Sequence, residues 1–447
     1  MDNKTIYALS TVMGKSGVAL IRVSGKNAFD IIEQMTELET EKITPRKMYY
    51  TEIFDAITHE ILDNVLIVCF KAPNSFTGEN TVEINCHGSK AVIKSLIKSL
   101  SSLNNFRLAE AGEFSRRAFY NNKMDLTEAE GLADLIDAET EVQQKVALRQ
   151  MNGTLFTLYK SWREHLIDIL SFVEAYIDFP DEEIPQNTVF KIQNGVFKLS
   201  EDIKKHLENN NVEERLRDGF NVVISGPTNA GKSSLINAIA KRNVAIVSDI
   251  AGTTRDSIDC YVDLHGYPII FSDTAGLREA NDAIEKIGID IALNKIKKAD
   301  FNIFLYDAYE DSPEIFSRFT ASDANNYIIV GNKADKLSPT QREILQNSQI
   351  ILISAKDNQN INNLLEKIYA YLSEQYNISS ANLITRQRYK ESLFECLENL
   401  KRFDLSKEIE LAAEDIRLAA RALGKITGQV EVNEILDKIF NNFCIGK

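Results

Sequence analysis

The chain has 447 residues, 51 Lys and Arg against 65 Asp and Glu (formal net charge −14), and is 44% hydrophobic. Its length suits two to four domains of roughly 100–200 residues, and its apolar and charged fractions exclude wholesale disorder. No apolar run approaches the ~18 residues of a membrane span, MDNKTIYALS lacks the features of a secretory leader, and Cys69, Cys86, Cys260, Cys396 and Cys444 lack the close pairing of a disulfide framework or zinc set.

In chain order, the first ~120 residues mix strand-like runs (Val18–Val23, Val65–Phe70 and the period-two Val82–Cys86) with a helix around Ala91–Leu103, an α+β pattern. Residues 74–179 and 340–447 contain no proline, and the stretches within them that carry helical periodicity read as helices. Leu132, Leu135, Ala138, Val142 and Val146 predict one helix over 132–146; Trp162, Leu166, Ile169, Val173 and Tyr176 predict another. Asp178–Pro185 marks a sharp break. From Phe220 to about Leu372 short apolar strands (Asn221–Ser225, Ile269–Ser272, Phe301–Tyr306, Tyr327–Val330, Ile350–Ile353) alternate with helical segments, the grammar of a mostly parallel sheet. Ile409, Ala412, Ile416, Ala419, Leu423 and Ile426 then form a helix-packing seam. The prediction is multidomain: an α+β domain at 1–120, an all-α domain at 121–216 and 374–447, and an inserted α/β domain at 217–373.

Gly226-Pro227-Thr228-Asn229-Ala230-Gly231-Lys232-Ser233 fits G-x-x-x-x-G-K-[ST] between a strand and the helix-like Ser234–Ala240. Glycines let successive N–H groups converge on phosphate oxygens, Lys232 meets the β/γ-phosphates and the Ser233 hydroxyl ligates Mg²⁺. Gly252-Thr253-Thr254-Arg255-Asp256 supplies a threonine, assigned to Thr254, for the Mg²⁺ shell. In Asp273-Thr274-Ala275-Gly276 the acid holds Mg²⁺ through water and Gly276 offers its N–H to the γ-phosphate. Asn332-Lys333-Ala334-Asp335 places a carboxylate that accepts from guanine N1–H and the exocyclic amine, and Ser354-Ala355-Lys356 presents an N–H to the guanine carbonyl. Five motifs in this order define a guanine-nucleotide domain. Its predicted contacts are Asn229, Ala230, Gly231, Lys232, Ser233, Ser234, Thr253, Thr254, Asp273, Thr274, Ala275, Gly276, Asn332, Lys333, Asp335, Ser354, Ala355 and Lys356. Leu277 stands where Ras-like enzymes carry a water-orienting glutamine, and neither Arg255 nor Arg278 identifies itself as an arginine finger. Slow hydrolysis is expected until a partner, an ion or dimerisation completes the site.

With those motifs placed, the whole chain resembles the MnmE (TrmE) family of tRNA-modification GTPases. The resemblance runs through Ile21-Arg22-Val23-Ser24-Gly25, Pro73-Asn74-Ser75-Phe76-Thr77-Gly78-Glu79, Gly112-Glu113-Phe114-Ser115-Arg116-Arg117-Ala118-Phe119, Asp134-Leu135-Ile136-Asp137-Ala138 and Cys444-Ile445-Gly446-Lys447. It implies a folate-binding-type N-terminal domain that also dimerises, a helical domain and an inserted Ras-like P-loop GTPase domain. It further implies a heterotetramer-type complex with an FAD/NADH-dependent flavoprotein of the MnmG (GidA) family. There an aminomethyl-type group (carboxymethylaminomethyl) is added to C5 of the tRNA wobble uridine, from 5-formyl- or methylene-tetrahydrofolate. Matched by motif, Asn229 with backbone groups of Ser248, Ile250 and Thr253 holds the K⁺ that drives G-domain pairing, and Glu285 orients the attacking water. Arg22, Glu83, Lys123 and Lys447 match folate positions, and Cys444 is the tail thiol.

Taken alone, Glu285 is one glutamate in Ala283–Lys286, the folate residues are surface charges, and a lone cysteine is usually a small buried hydrophobe. Cys444 also fits the C-a-a-X frame only formally, because Gly446 is not aliphatic and Lys447 is not a usual last residue. Two segments depart from the family pattern: Thr11–Gly17, and Pro227-Thr228 within the P-loop. The acidic balance confines any nucleic-acid contact to local patches, such as Arg386-Gln387-Arg388-Tyr389-Lys390, for which a solvated helix face is the plainer reading. A regulatory RNA- or ribosome-binding GTPase switch is the alternative, and a dynamin-like membrane GTPase is poorly supported. The expected setting is cytoplasmic, with no membrane contact.

Overall fold

The computed structural model describes residues 3–178, 186–208, 211–242, 245–246, 260–273, 295–311, 326–346, 350–376, 386–406, 408–430, 439–440, 443 and 446. In chain order the strands are β1 Thr5–Leu9, β2 Ser16–Ser24, β3 Met48–Phe54, β4 Ile61–Phe70, β5 Thr81–Gly88, β6 Phe106–Leu108, β7 Phe220–Ser225, β8 Ala245–Ile246, β9 Cys260–Leu264, β10 Tyr267–Asp273, β11 Phe301–Asp307, β12 Tyr327–Asn332 and β13 Ile351–Leu352. The helices are α1 Asp30–Met35, α2 Lys90–Ser101, α3 Glu113–Tyr120, α4 Leu126–Asp137, α5 Glu141–Met151, α6 Thr154–Asp178, α7 Gln186–Glu208, α8 Asn211–Asp218, α9 Lys232–Ala240, α10 Pro339–Gln346, α11 Ile361–Gln375, α12 Gln387–Arg402 and α13 Ile409–Thr427. They divide into two compact units: Met1–Ala133 with Gln150–Pro185 and Asn399–Lys447, and Asp134–Arg149 with Gln186–Glu398.

In the first unit a six-stranded sheet runs β3-β4-β5-β2-β1-β6, antiparallel except for β1 beside β6. Period-two alternation sends Ala19, Ile21 and Val23, Val65, Ile67 and Cys69, and Val82, Ile84 and Cys86 to one face. There they share a core with Ile31, Ile32 and Met35 of α1 and Ile93, Leu96 and Leu100 of α2. The other face carries Arg22 and Glu83 and leaves Met48, Tyr50 and Leu66 exposed. Along α6, Leu155, Tyr159, Leu166, Ile169 and Val173 are buried; α6 packs on α13, whose alanines 412, 413, 419 and 420 let the backbones approach. Gly428, at φ 80°, closes α13 with a left-handed cap.

The single helix expected over 132–146 is corrected to two, α4 and α5, broken at 138–140. A capping box causes the break: Gln143 Oε1 accepts from the Glu139 and Thr140 N–H groups, while Thr140 Oγ1 accepts from Gln143 N. The T-x-x-Q signature is in the sequence, beneath a periodicity that runs on across it. α6 ends at Asp178 and α7 begins at Gln186, on either side of the predicted break.

In the second unit a seven-stranded sheet runs β13-β12-β11-β7-β10-β9-β8, parallel from β13 to β10 and antiparallel beyond. The strands β7 and β11 at its centre are buried on both sides, with apolar runs at 222–224 and 303–306. The β9–β10 hairpin, absent from the sequence reading, turns through His265 and Gly266 at φ 54° and 92°, the left-handed pair of a tight two-residue turn. Val142 of α5 packs against that turn.

Candidate functional site

The loop from β7 to α9 is built on positive φ angles: Gly226 at 139°, Asn229 at 62° and Gly231 at 93°. A Cβ on Gly226 would lie 1.9 Å from the Leu305 carbonyl oxygen, and one on Gly231 would lie 2.3 Å from Asn332 Nδ2. Both glycines are thus fixed by close approach as well as by φ. Lys232, 8% exposed, donates to the Gly226 and Pro227 carbonyls at 2.9 Å each. Burial draws its ammonium below the usual lysine value, against the opposing pull of Asp273. Ser233 Oγ donates to Asp273 Oδ2 at 3.1 Å. Those oxygens, a hydroxyl and a carboxylate, are the hard donors that suit Mg²⁺.

One side chain joins this loop to the N-K-x-D segment at the end of β12. Asn332 Nδ2 donates to the Ala230 carbonyl at 2.8 Å, and Asn332 Oδ1 accepts from Ala355 N at 3.0 Å. Ser354, fully buried, donates to Asp335 Oδ1 at 2.7 Å, and Ala334 N donates to Ile353 O. The sequence-predicted Asn229, Ala230, Gly231, Lys232, Ser233, Ser234, Asp273, Asn332, Lys333, Asp335, Ser354, Ala355 and Lys356 thus lie on β7–α9, β10, β12 and the loop after β13, with neighbouring strands holding them in register. Thr253, Thr254, Thr274, Ala275, Gly276, Ser248, Ile250 and Glu285 fall outside the described residues. Two residues missed from the sequence also act here. Arg342 donates from Nε and Nη2 to the Ala334 carbonyl at 3.1 and 2.6 Å, and Asp307 accepts from Lys333 Nζ at 2.5 Å. An acid at the end of an apolar strand was the available signal for Asp307.

In the N-terminal domain two motifs quoted from the sequence prove to be halves of one ion network. Arg117, 3% exposed, donates to Glu79, to Glu113 at 3.0 Å and to the Lys4 carbonyl. Glu113 also takes a forked pair from Arg107 at 2.7 and 2.6 Å, and Ser24 Oγ reaches both Thr77 and Glu79. Burial works to raise the Glu113 carboxyl, but donors from Arg107, Glu110 N and Arg117 outweigh it and hold it below the ordinary glutamate range. On the open face Arg22 lies opposite Glu83 in register and bonds it at 3.0 Å, its guanidinium 5.2 Å from the Phe76 ring centroid. Lys123 is exposed, its side chain against Gly78. Cys444 and Lys447 lie outside the described residues, but Gly446 packs on the Leu9 carbonyl and accepts from Ser10 Oγ at 2.9 Å.

In the basic run at 386–390, Arg386 pairs with Asp134 at 2.6 Å and Lys390 with Glu214 at 2.7 Å, and Tyr389 is buried, so this stretch is a packed, ion-paired surface and not the solvated helix face of the plainer reading. Cys69, Cys86, Cys260 and Cys396 are buried, and burial pushes their thiols up, to about 11 for Cys69 and Cys86 and about 12 for Cys396. Among the described residues no helix is long and apolar enough to cross a membrane, and no cluster of three His, Cys, Asp or Glu is placed to hold a metal.

A phosphate-type loop on the central strand, an acid at the end of the next, and an N-K-x-D segment bonded to that loop through Asn332 define a P-loop GTPase domain. A family profile described as "MnmE helical domain" matches residues 126–444, and another, "GTP-binding protein TrmE N-terminus", matches residues 5–123. Proteins named tRNA modification GTPase MnmE from Rickettsia prowazekii and Rickettsia canadensis are each 45% identical over 446 residues, covering 99% of this chain and 100% of theirs. A crystal structure of a point variant of Aquifex aeolicus Era bound to GDP.AlF4- covers 40% of this chain and 66% of its own at 28% identity, with a TM-score of 0.28, too loose a superposition to reason from. The chain belongs to the MnmE family of tRNA modification GTPases. It is a GTP-hydrolysing enzyme of tRNA modification, with an N-terminal α+β domain, a helical domain and a Ras-like G domain.

Proposed function

We propose that the chain, with an FAD/NADH-dependent flavoprotein of the MnmG (GidA) family, adds a carboxymethylaminomethyl-type group to C5 of the tRNA wobble uridine from a tetrahydrofolate one-carbon unit. The observation that carries this reading is that full-length family membership includes the N-terminal domain. In it the Glu79 and Arg117 motifs interlock, and Arg22 pairs with Glu83. A GTPase acting only as a switch has no evident need of such a domain. The proposed division of labour is 1–120 for folate and dimerisation, 217–373 for GTP, and 121–216 with 374–447 as the helical frame.

In the G domain the N–H groups of 226–233 cradle phosphate, and Lys232 exchanges its two carbonyl partners for phosphate oxygens. Asp335 reads guanine, and Ala355 N, aligned by Asn332, meets the guanine carbonyl. Ser233 and Asp273, with Thr254, hold Mg²⁺, which when bound neutralises charge on the β- and γ-oxygens. Leu277 has no group to orient water, so that role falls to Glu285. The described member of the K⁺ set, Asn229, is exposed at the loop apex where a second G domain can approach. On the N-terminal sheet, Tyr50 and Leu66 pair across β3 and β4 and both are exposed, an apolar face that supports homodimerisation there. The one-carbon carrier finds a cation and a carboxylate, Arg22 and Glu83, beside the Phe76 ring, with Lys123 and the tail residues Cys444 and Lys447 completing the pocket. The setting is cytoplasmic.

The test is nucleoside mass spectrometry of tRNA from cells lacking this chain, rescued with the wild type or Cys444→Ser. The expected result is loss of the wobble modification, restored by the wild type alone. An unchanged profile without the chain would return the protein to the class of regulatory GTPases. In the purified protein, Na⁺ in place of K⁺ should sharply reduce GTP hydrolysis, and equal rates in the two salts would remove the Asn229 cation site.

A further inference from the structure

We propose that Asp307 is a positioning residue for guanine-nucleotide binding, acting through Lys333. The inference rests on the assignment of the 332–335 and 354–356 loops to guanine. It adds a residue that belongs to none of the sequence motifs.

Asp307 ends β11, opposite Asn332 in the parallel register with β12, so its backbone is fixed next to the asparagine that joins the two loops. Its side chain is 4% exposed, and its two oxygens do different things. Oδ1 accepts from Tyr309 N at 3.0 Å and closes the turn after the strand. Oδ2 receives the Lys333 ammonium at 2.5 Å. Burial pushes the Asp307 carboxyl up, but the Lys333 and Tyr309 donors outweigh it and leave it below the ordinary aspartate range; the same bond raises Lys333.

Lys333 itself is in the left-handed region, at φ 62°. A residue with a Cβ is strained in that conformation, which persists only when its surroundings over-determine it. The clamps on this segment are visible: Asn332 to Ala230, Ala334 N to Ile353, Arg342 to the Ala334 carbonyl, and Ser354 to Asp335. Each fixes backbone or a neighbour. Asp307 fixes the Lys333 side chain. With its ammonium tied back to the end of β11, the Lys333 methylene stem is held in one orientation, two residues before Asp335 in the chain. The stem is apolar, the right surface for the face of a purine ring, and holding it still before the ligand arrives lowers the ordering cost of binding.

The arrangement predicts a defect that depends on Lys333 and is indifferent to the purine's exocyclic amine. The test uses the full-length chain and equilibrium binding of GDP and IDP to the parent, Asp307→Asn, Lys333→Met and the double variant. Asp307→Asn keeps an oxygen for Tyr309 N, so the turn has its cap. The expected result is about a tenfold loss of affinity, about 1.4 kcal/mol, equal for the two nucleotides. Once Lys333 is Met, the Asp307 change should cost nothing further. Equal losses from Asp307→Asn in both backgrounds would mean a general packing role and overturn the proposal. So would an unchanged affinity in Asp307→Asn while Asp335→Asn binds GDP poorly, since the guanine assignment would then stand without it. If Asp335→Asn binds GDP as the parent does, the guanine assignment itself falls, and this proposal with it.

Discussion

Two buried cations, Arg117 and Lys232, are placed under opposite rules. Arg117 in the N-terminal domain is saturated: two glutamates and a backbone carbonyl take its guanidinium, and Arg107 balances the second charge on that cluster. Among the described residues, Lys232 in the G domain has two backbone carbonyls within hydrogen-bond reach, while Asp273 acts on it from further off. A closed network fixes a shape. A buried cation held by neutral carbonyls is ready for an anion that binds it better, and the difference separates a structural charge from a functional one.

Removing one partner from the closed network should have the largest effect. Arg117→Ala removes the guanidinium from Glu79 and leaves Glu113 to Arg107 and Glu110 N, and should cost about 3 kcal/mol, seen as an early unfolding transition in denaturant that spares nucleotide binding. A loss below about 1 kcal/mol would show that solvent reaches the cluster and that the contrast with Lys232 is overstated. Lys232→Ala should do the reverse, lowering kcat/KM for GTP by about 100-fold or more while the melting temperature of the nucleotide-free chain holds or rises. A destabilised but active Lys232→Ala protein would make the two cations alike.

The smallest expected effect is on pH dependence. The Glu113 carboxyl is lower in the folded chain than in the unfolded one, so its stabilisation is complete above about pH 4.3 and fades as pH falls through the folded value. Asp125 behaves oppositely: burial first, then Glu128, push it up to about 6. Between about pH 4 and 6 the native chain therefore holds a proton that the unfolded chain has lost, and the Asp125 contribution declines as pH rises across that window. Asp125→Asn keeps the oxygen that accepts from Thr127 and Glu128 N–H groups, and should flatten that decline in denaturant midpoints. Identical slopes in parent and variant would show that Asp125 titrates normally.

Much of the G domain was legible because its chemistry is local. The loop 226–233 needs glycines and a lysine at fixed spacing, and the buried strands that carry the motifs are rich in apolar residues. In the N-terminal sheet β2, β4 and β5 were legible as strand-like runs, β5 by its alternation. β3 was not, since its outward residues Met48 and Tyr50 are as apolar as its inward ones and hide the period. The interlocking of Glu79 with Arg117, 38 positions apart, has no periodic signature either. Nor does the bond from Asp307 to Lys333, 26 positions on, which depends on how two parallel strands register. Pairings of that kind belong to topology, and letters reach them only after the sheet order is known.

The tail gives the molecule a timetable. Ser10 and Gly446 meet across 436 positions, and the Phe440 backbone carbonyl fills the space where a Cβ on Gly112 would stand. As the chain leaves the ribosome, the N-terminal sheet can form early, but the surface beside β1 and the start of α3 stays uncovered while the whole G domain is made. Translation that stalls anywhere in between yields a sheet with an open seam. The GTPase machinery is therefore complete, in order of synthesis, before the domain that precedes it is sealed.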